Sequence, residues 1–480
     1  MRKNKIILYG AGKHAKEIYN LIKKSSIEII GITDSDFQKW GQCFEEYIIQ
    51  SPSSFQQYED AYLYVAIKNQ EIYDDVVSGL HWFKGKIISF NELQLILCRL
   101  NDNFKISIEK DSVEKEENYI FDCTEGIVLG GVEAWTTNVC EALLQKGVEH
   151  TYIVSKKGEY QISDTLKDKI IYVDIKDDNR FSEDTILKLM LEIKRKLPCK
   201  IVTRATNAMM VAAYLLKCQF PNEITVVSVI HNSNEYVYKE YYEFRDCIDI
   251  YIGVSQDIKR DMIQKGIEGK NIYTMTCPFE CEKILYRTYT LDLKNPIRIG
   301  YAGRMDGFEH SQKRMDLLLK FIDDFGKKGI DFRMEIAGDG IARAEMEEYI
   351  NNNGLNEKVC FLGEINRSAI PAFWRKQDIC VNIADFEGRS ISIIEAMGNG
   401  AVPVVTQVSG TREDIINGVN GYLIPIGDYQ TMADRIEYLA KHRDCLPVMG
   451  QKAHDEVYPK SLMKSHIEFW INEIFKINPI

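Results

Sequence analysis

The stretch Ile379–Gly410, ICVNIADFEGRSISIIEAMGNGAVPVVTQVSG, reads as a buried strand, a short loop, a helix and a second buried strand. The first strand ends at Ala384, the loop carries Asp385–Ser390, and the helix begins near Ile391. Two carboxylates bracket that helix start, Glu387 on the loop and Glu395 about one turn in, with seven residues between them. Gly388 and the small Ser390 and Ser392, with Ile391 between them, leave backbone N–H groups open at the amino end. Unpaired donors and the helix dipole together attract a phosphate there. A carboxylate on either side suits hydroxyls flanking a diphosphate, those of a sugar at one end and of a ribose at the other.

Outward from this stretch the same strand–turn–helix pattern recurs, which argues for parallel sheets built from βαβ units. At 480 residues, 45% of them hydrophobic, the chain is too long for one core and too apolar for disorder. A first block has strands at Lys5–Tyr9, Ile27–Ile32, Tyr62–Ile67 and Lys86–Phe90 and ends near Leu100. The polar, charge-dense stretch 101–118 reads as a linker. A second block spans 119–290, with helices such as Glu183–Leu197, and a third spans 291–459. The last helix, 460–480, sets Met463, Ile467, Trp470, Ile471 and Ile474 on one stripe that must pack against something, and it is expected to cross back to the second block.

The carboxylate block resembles the retaining glycosyltransferases of the GT-B fold, family 4-like, whose signature is E-x7-E followed by a small-residue helix and a Pro-Val-Val/Ile strand. Glu387, Glu395, Ala396, Met397, Gly400, Pro403 and Val404 match it. The resemblance implies that Glu387 contacts the donor sugar and Glu395 the nucleotide ribose. Many relatives carry Gly-Phe-Gly or Gly-Phe-Pro after the first Glu, whereas this chain has Gly388-Arg389-Ser390. Arg389 is open to two readings, a charge added to the phosphate site or a solvated side chain.

The likeness extends upstream. IRIGYAGRMDGFEHSQKRMDLLL places Gly303-Arg304 at a strand end and Lys313 before a helix, matching the family's Gly-Arg and its later Lys, and implies that Arg304 and Lys313 hold the diphosphate. Fixed cations there stabilise the charge that grows on the departing nucleoside diphosphate. Gly338 and Gly363 match strand-end glycines that approach the nucleotide. Gly130-Gly131 resembles the loop that faces the donor phosphate across the cleft, where side-chain-free residues admit close backbone N–H groups. His231 ends a strand at the position where relatives place a His beside the reacting sugar. Ser255 begins a helix in a matching segment.

The fold implied is α/β, two Rossmann-like domains facing a cleft, preceded by a smaller Rossmann-like domain. The activity implied is retaining, metal-independent transfer from a nucleotide-diphosphate sugar, UDP-linked by expectation, to a glycan or lipid-linked glycan acceptor, as in surface or capsular polysaccharide synthesis. Front-face attack accounts for retention, with the departing phosphate oxygen taking the acceptor's proton. Two rivals remain: a nucleotide-sugar epimerase of the same architecture, and a catalytically silent nucleotide-sugar-binding scaffold.

The first block opens KIILYGAGKHAKEIYNLI, in which Gly10, Gly12 and Ala15 form G-x-G-x-x-A directly after a strand, with Asp34 ending the second strand. This is a dinucleotide fingerprint in its proper context. With only about four strands, the unit reads as a truncated Rossmann domain, and it looks like the small amino-terminal domain of bacterial sugar O-acyltransferases. Three readings stay open: a nucleotide, NAD or nucleotide-sugar site; a structural or oligomerising module; and a working NAD-dependent oxidoreductase. Asp34-Ser35-Asp36 forms a D-x-D but lies away from the Glu pair, so no metal site is expected.

Sixty Lys and Arg against 71 Asp and Glu give a net charge of −11, which speaks against wrapping nucleic acid. The 12 cysteines are scattered, and Cys277-x-x-x-Cys281 has no companion pair, so buried thiols in a reducing compartment are expected. The start breaks into Gly-Ala-Gly after Ile6–Tyr9, too short for a signal core, and no run nears the ~18 apolar residues of a membrane span. The expected location is cytoplasmic. Lys194, Arg195, Lys196 and Lys200 leave two readings, a peripheral contact with anionic lipid at the inner membrane face or a solvated helix end.

Overall fold

A computed structural model describes residues 4–107, 119–126, 131–156, 162–176, 179–267, 271–279 and 281–477. The chain divides into two compact units. One comprises Met1–Val113, Asp178–Lys194 and Val211–Pro221; the other comprises Glu114–Asp177, Arg195–Met210 and Asn222–Ile480.

The first unit holds strands β1 (Lys5–Tyr9), β2 (Glu28–Thr33), β3 (Cys43–Phe44), β4 (Tyr47–Gln50), β5 (Ala61–Val65) and β6 (Lys86–Ile88). They form one sheet in the order β3-β4-β2-β1-β5-β6, parallel except for the β3–β4 hairpin. Four of these strands follow the apolar runs in the sequence. The hairpin is an addition that the expected four-strand unit lacked. Its strands are short and mostly exposed, so no alternation marks them. Edge-on contacts of the Tyr19 ring with Phe44 and Tyr47, 6.3 and 6.4 Å between ring centres, hold it to helix Lys13–Ile22. The strand expected at Lys86–Phe90 stops at Ile88 because Ser89 caps a helix over Phe90–Leu100, with Glu92 completing a capping box.

The second unit contains two parallel sheets. One holds β7 (Tyr119–Gly126), β8 (His150–Lys156), β9 (Ile170–Tyr172), β10 (Cys199–Thr203), β11 (Ile224–Ile230), β12 (Ile250–Gly253) and β13 (Ile272–Thr274), in the order β13-β12-β11-β10-β7-β8-β9. The other holds β14 (Ile297–Ala302), β15 (Phe332–Ala337), β16 (Val359–Gly363), β17 (Ile379–Asn382), β18 (Val402–Thr406) and β19 (Tyr422–Ile424), in the order β16-β15-β14-β17-β18-β19. Each is doubly wound and reverses direction of progress once, between β7 and β10 and between β14 and β17. Ligands of such sheets bind at the carboxyl ends of the strands beside that reversal. This is the GT-B architecture: two Rossmann-like halves bordering a cleft, preceded by a smaller sheet domain.

In the half that carries β14–β19, Ile297, Ile299, Met334, Ile336, Val381 and Val404 interlock with Met315, Leu318, Phe321 and Phe325 of helix Met315–Lys327. The last helix starts at Met463, continues past Phe469 as a π-helical turn over Trp470–Phe475, and packs against helix Gly131–Gln145. The indoles of Trp135 and Trp470 both donate to His466 Nε2, at 3.0 and 3.1 Å. With two donors on one ring nitrogen, that nitrogen carries no proton.

Candidate functional site

The loop after β17 is stitched down from one side by the segment before helix Met315–Lys327. Lys313 bridges to Ala384, Asp385 N–H donates to the Gln312 carbonyl at 3.1 Å, and Arg314 N–H donates to the Ile383 carbonyl at 3.3 Å. Register thereby brings Lys313 and Glu387 together, and they form a nearly buried ion pair. Lys313 Nζ also reaches Asn382 Oδ1 at 3.4 Å. Gln312 donates to the other Glu387 oxygen at 3.2 Å and accepts from Arg304, whose side chain is otherwise exposed, also at 3.2 Å. Arg304, Gln312, Glu387 and Lys313 thus form one hydrogen-bonded chain where β14 and β17 diverge. Gln312 was not singled out in the sequence; its only mark is its place next to Lys313.

Glu395 does not join that chain. It projects from helix Ile391–Gly398 into a cavity of about 440 Å³ lined by Asn138, Glu141, Arg367, Ser368, Asn399 and Met463, among others. Burial pushes its carboxyl up to about 7, against the pull of Arg367. With the Asn138 amide oxygen turned toward Arg367, it accepts from both guanidinium Nη atoms at 2.8 and 2.5 Å, so the two halves touch at the cavity wall. The two carboxylates therefore face different spaces, Glu387 the cationic chain and Glu395 the cavity. Arg367 and Asn138 belong to no recognisable motif and were missed.

From the opposite half, Gly131 begins its helix close to Ile391; a Cβ on Gly131 would lie 3.3 Å from Ile391 Cδ1. Gly130 lies outside the described residues. Ser390 caps helix Ile391–Gly398 without a side-chain bond to its amides and instead pairs with the Ser392 hydroxyl at 3.1 Å, leaving the amino end open. Gly388 runs against the His231 carbonyl so closely that a Cβ would sit 1.9 Å from it, and only glycine fits. Ser233 reinforces the approach by donating to the Glu387 carbonyl at 2.7 Å. His231 packs edge-on against Trp135, 4.3 Å between ring centres. Its Nε2 is buried without a partner, and burial, with the Arg204 cation nearby, holds the ring well below its ordinary pKa, hence neutral. Arg204 is itself buried in an ion pair with Asp122, a second feature the sequence did not announce.

Gly303 and Gly338 directly follow the neighbouring strands β14 and β15, and Gly363 ends β16. Gly303 N–H donates to Ala337, and Gly338 N–H donates to Gly363 at 2.7 Å. Arg389 requires a correction: it neither faces a phosphate site nor points to solvent. Its guanidinium is buried against Asp414 and Glu413, with Nε 3.0 Å from Asp414 Oδ2. Among the described residues no group of three or more His, Cys, Asp or Glu is arranged to hold a metal ion.

Gly12 precedes helix Lys13–Ile22 and Ala15 is fully buried. The Asp34 carboxylate accepts from the backbone N–H of Ala11 at 2.8 Å and of Asp36 at 2.9 Å, and from Lys39 Nζ at 2.9 Å. Burial pushes its pKa up, yet these donors outweigh it and hold the carboxyl below its usual range. The carboxylate is committed to its own turn. Of the four-cation cluster, Lys196 lies over the Tyr119 ring at 4.4 Å and Lys200 is half-buried, its pKa lowered by burial.

Residues 293–455 match the family described as Glycosyl transferases group 1, and residues 2–88 match C2185-like, N-terminal. Among curated proteins, the chain is 22% identical to N-acetyl-alpha-D-glucosaminyl L-malate synthase of Bacillus anthracis over 52% of this chain and 67% of that protein. It is 27% identical to poly(ribitol-phosphate) alpha-N-acetylglucosaminyltransferase of Staphylococcus aureus over 36% and 34% of the respective chains. It is 24% identical to lipopolysaccharide 1,6-galactosyltransferase of Escherichia coli over 40% and 52%. Thus the match spans only part of each relative's length. In fold, the chain is similar to the lipopolysaccharide outer core galactosyltransferase WaaB, with a TM-score of 0.58 at 16% identity over 75% of this chain and 99% of that one. Anabaena HepE in complex with UDP and glucose gives a TM-score of 0.59 at 16% identity over 73% and 97%.

Proposed function

Taking as premise that the chain is a glycosyltransferase of GT-B fold, we propose that it moves a hexose-type sugar from a UDP-linked donor to a glycan or lipid-linked glycan acceptor of a surface polysaccharide, with retention of anomeric configuration. The observation that carries this reading is the chain Arg304–Gln312–Glu387–Lys313 at the strand reversal of the β14–β19 half, set against His231 and Gly388 of the loops that meet there. A UDP-sugar diphosphate would replace Glu387 as the partner of Lys313, and Glu387 would turn to the sugar hydroxyls. Arg304, exposed and tethered among the described residues through Gln312 and Asp306, would swing onto the same phosphates. Glu395, in its cavity, would take the ribose.

In the reaction the acceptor hydroxyl approaches on the leaving group's face. The bond from the anomeric carbon to the β-phosphate oxygen breaks, the bond to the acceptor oxygen forms, and the acceptor proton passes to the phosphate oxygen that departs. Lys313 and Arg304 offset the charge gained by UDP, the part that a divalent ion plays in other transferases. His231, held neutral, serves as a hydrogen-bonding wall for the sugar rather than as a cation. Relatives named as N-acetylglucosaminyl- and galactosyltransferases, and the UDP-bound HepE, support a UDP-linked donor.

The first unit is read as a structural or oligomerising module, because Asp34 is already bonded to its own turn. No helix among the described residues is long and apolar enough to cross a membrane. The proposed place of action is the cytoplasmic face of the membrane, where lipid-linked acceptors are presented. The test is UDP release from UDP-glucose, UDP-galactose and UDP-N-acetylglucosamine, with and without lipid-linked acceptors, together with the anomeric coupling of the product. Acceptor-dependent release with retained configuration supports transfer. Interconversion of the donor sugars without release marks an epimerase, and binding without turnover marks a scaffold.

A further inference from the structure

The residues around Arg389 carry an inference beyond the donor contacts. Arg389 sits in the loop between the two glutamates, and its side chain is nearly buried, as is that of Asp414. Its guanidinium donates to both Asp414 oxygens, to Glu413 Oε2 at 3.3 Å, and to the Val254 carbonyl at 3.4 Å. Val254 follows β12, in the opposite half. Glu413 also reaches across: its Oε1 accepts from the backbone N–H of Gln256 at 2.5 Å and of Asp257 at 3.4 Å. Those are the first amides of helix Gln256–Gln264, whose cap Ser255 serves Ile258 and pairs with the Ser409 hydroxyl at 3.0 Å. The amino end of that helix is therefore satisfied by a carboxylate from the other half, where a helix dipole favours one. Gly410, at a φ of +78°, brings the 411–414 turn within close reach of the Gly388 carbonyl, so the turn and the donor loop lie in contact.

We propose that Arg389 is a positioning residue for sugar transfer. With Asp414 and Glu413 it ties the loop Glu387–Ser390 to the amino end of helix Gln256–Gln264, so that the loop takes its working shape only when the halves are together. The proposal rests on the donor reading of that loop. Arg389 touches no reacting atom in this scheme; it acts through Glu387 and Gly388. The planar fork serves three acceptors at once, which a lysine ammonium cannot reproduce.

The experiment uses the full chain and two mild variants, Arg389→Lys and Glu413→Gln, both of which keep a polar group in place. Hydrogen exchange without ligand reads the coupling directly. Amides in 255–258 are expected to exchange about tenfold faster in both variants, and amides in 387–391 with them. UDP affinity is expected to stay within about threefold of the parent while turnover of a UDP-sugar falls roughly tenfold or more, the split that distinguishes positioning from nucleotide binding. Unchanged exchange at 255–258 in both variants overturns the proposal. A fall in UDP affinity matching the fall in turnover also overturns it, since Arg389 would then be a ligand of the nucleotide. Failure of the parent chain to bind UDP or to turn over any UDP-sugar would sink the donor reading instead, and the ligand-free exchange comparison would still decide the clamp.

Discussion

Two glycine-bearing strand–turn–helix segments with a carboxylate beside the turn, one in each compact unit, are wired differently. At Gly10–Ala15 the acidic residue, Asp34, is held by the backbone N–H groups of Ala11 and Asp36 as well as by Lys39. At Gly388–Ser392 the acidic residue, Glu387, is held by a lysine and a glutamine side chain. A backbone donor stays where the fold puts it, so Asp34 cannot be released to a ligand without breaking the turn. A lysine can also serve as a phosphate ligand, so under the proposed reading an arriving diphosphate would separate Lys313 from Glu387 and provide each with a new partner.

The comparison breaks most visibly under substitution of the pair. Glu387→Ala and Lys313→Ala are each expected to lower turnover by about three orders of magnitude, measured as UDP release, with the fold intact but the melting temperature lowered, because each leaves one charge of a nearly buried pair without its partner. Asp34→Ala should leave turnover intact and lower stability instead. Gly388→Ala forces a Cβ into the His231 carbonyl and must shift the loop; turnover is expected to fall roughly tenfold to a hundredfold. A third effect separates packing from chemistry. His466 is fully buried, and burial first, then the Arg204 cation, lowers its pKa from 6.5 to about 3 while its backbone contact with Thr276 opposes the shift. The unfolded chain binds that proton more readily, so stability present above pH 6.5 should be lost as pH falls toward 3, by up to about 1.4 kcal/mol per unit. His466→Gln, compared by denaturant titration at several pH values, should remove that slope. The smallest effect is expected at the first unit, where calorimetric titration of the full chain with NAD should give no heat; saturable binding would reverse the contrast drawn between the two sites.

Much of the fold was legible because buried parallel strands leave short runs dominated by apolar and β-branched residues: β1 appears in the sequence with its observed ends, and β2, β5 and β6 lie within a few residues of theirs. The β3–β4 hairpin was not legible, since half-exposed strands of two and four residues leave no such trace. At the candidate site, motif and spacing singled out Glu387 and Lys313, and the structure brings those two together in one ion pair. Arg389 could not be read that way, because its environment is set by Asp414, 25 residues on, and by Val254, far earlier in the chain. Asp34 shows the converse: it stands at the expected place in a fingerprint, and only the direction in which its carboxylate points reveals that it serves the turn. Arg367 and Asn138 meet across a cavity between elements more than two hundred residues apart, a juxtaposition no local pattern encodes.

The shared imidazole at position 466 also gives the molecule an optical reporter. Of five tryptophans, two point their indole N–H groups at the same ring nitrogen, one from the helix facing the donor loop and the other from the carboxyl-terminal turn. Any movement that draws those elements apart must strip a hydrogen bond from at least one indole and change its polarity, so intrinsic emission should register it without an added label.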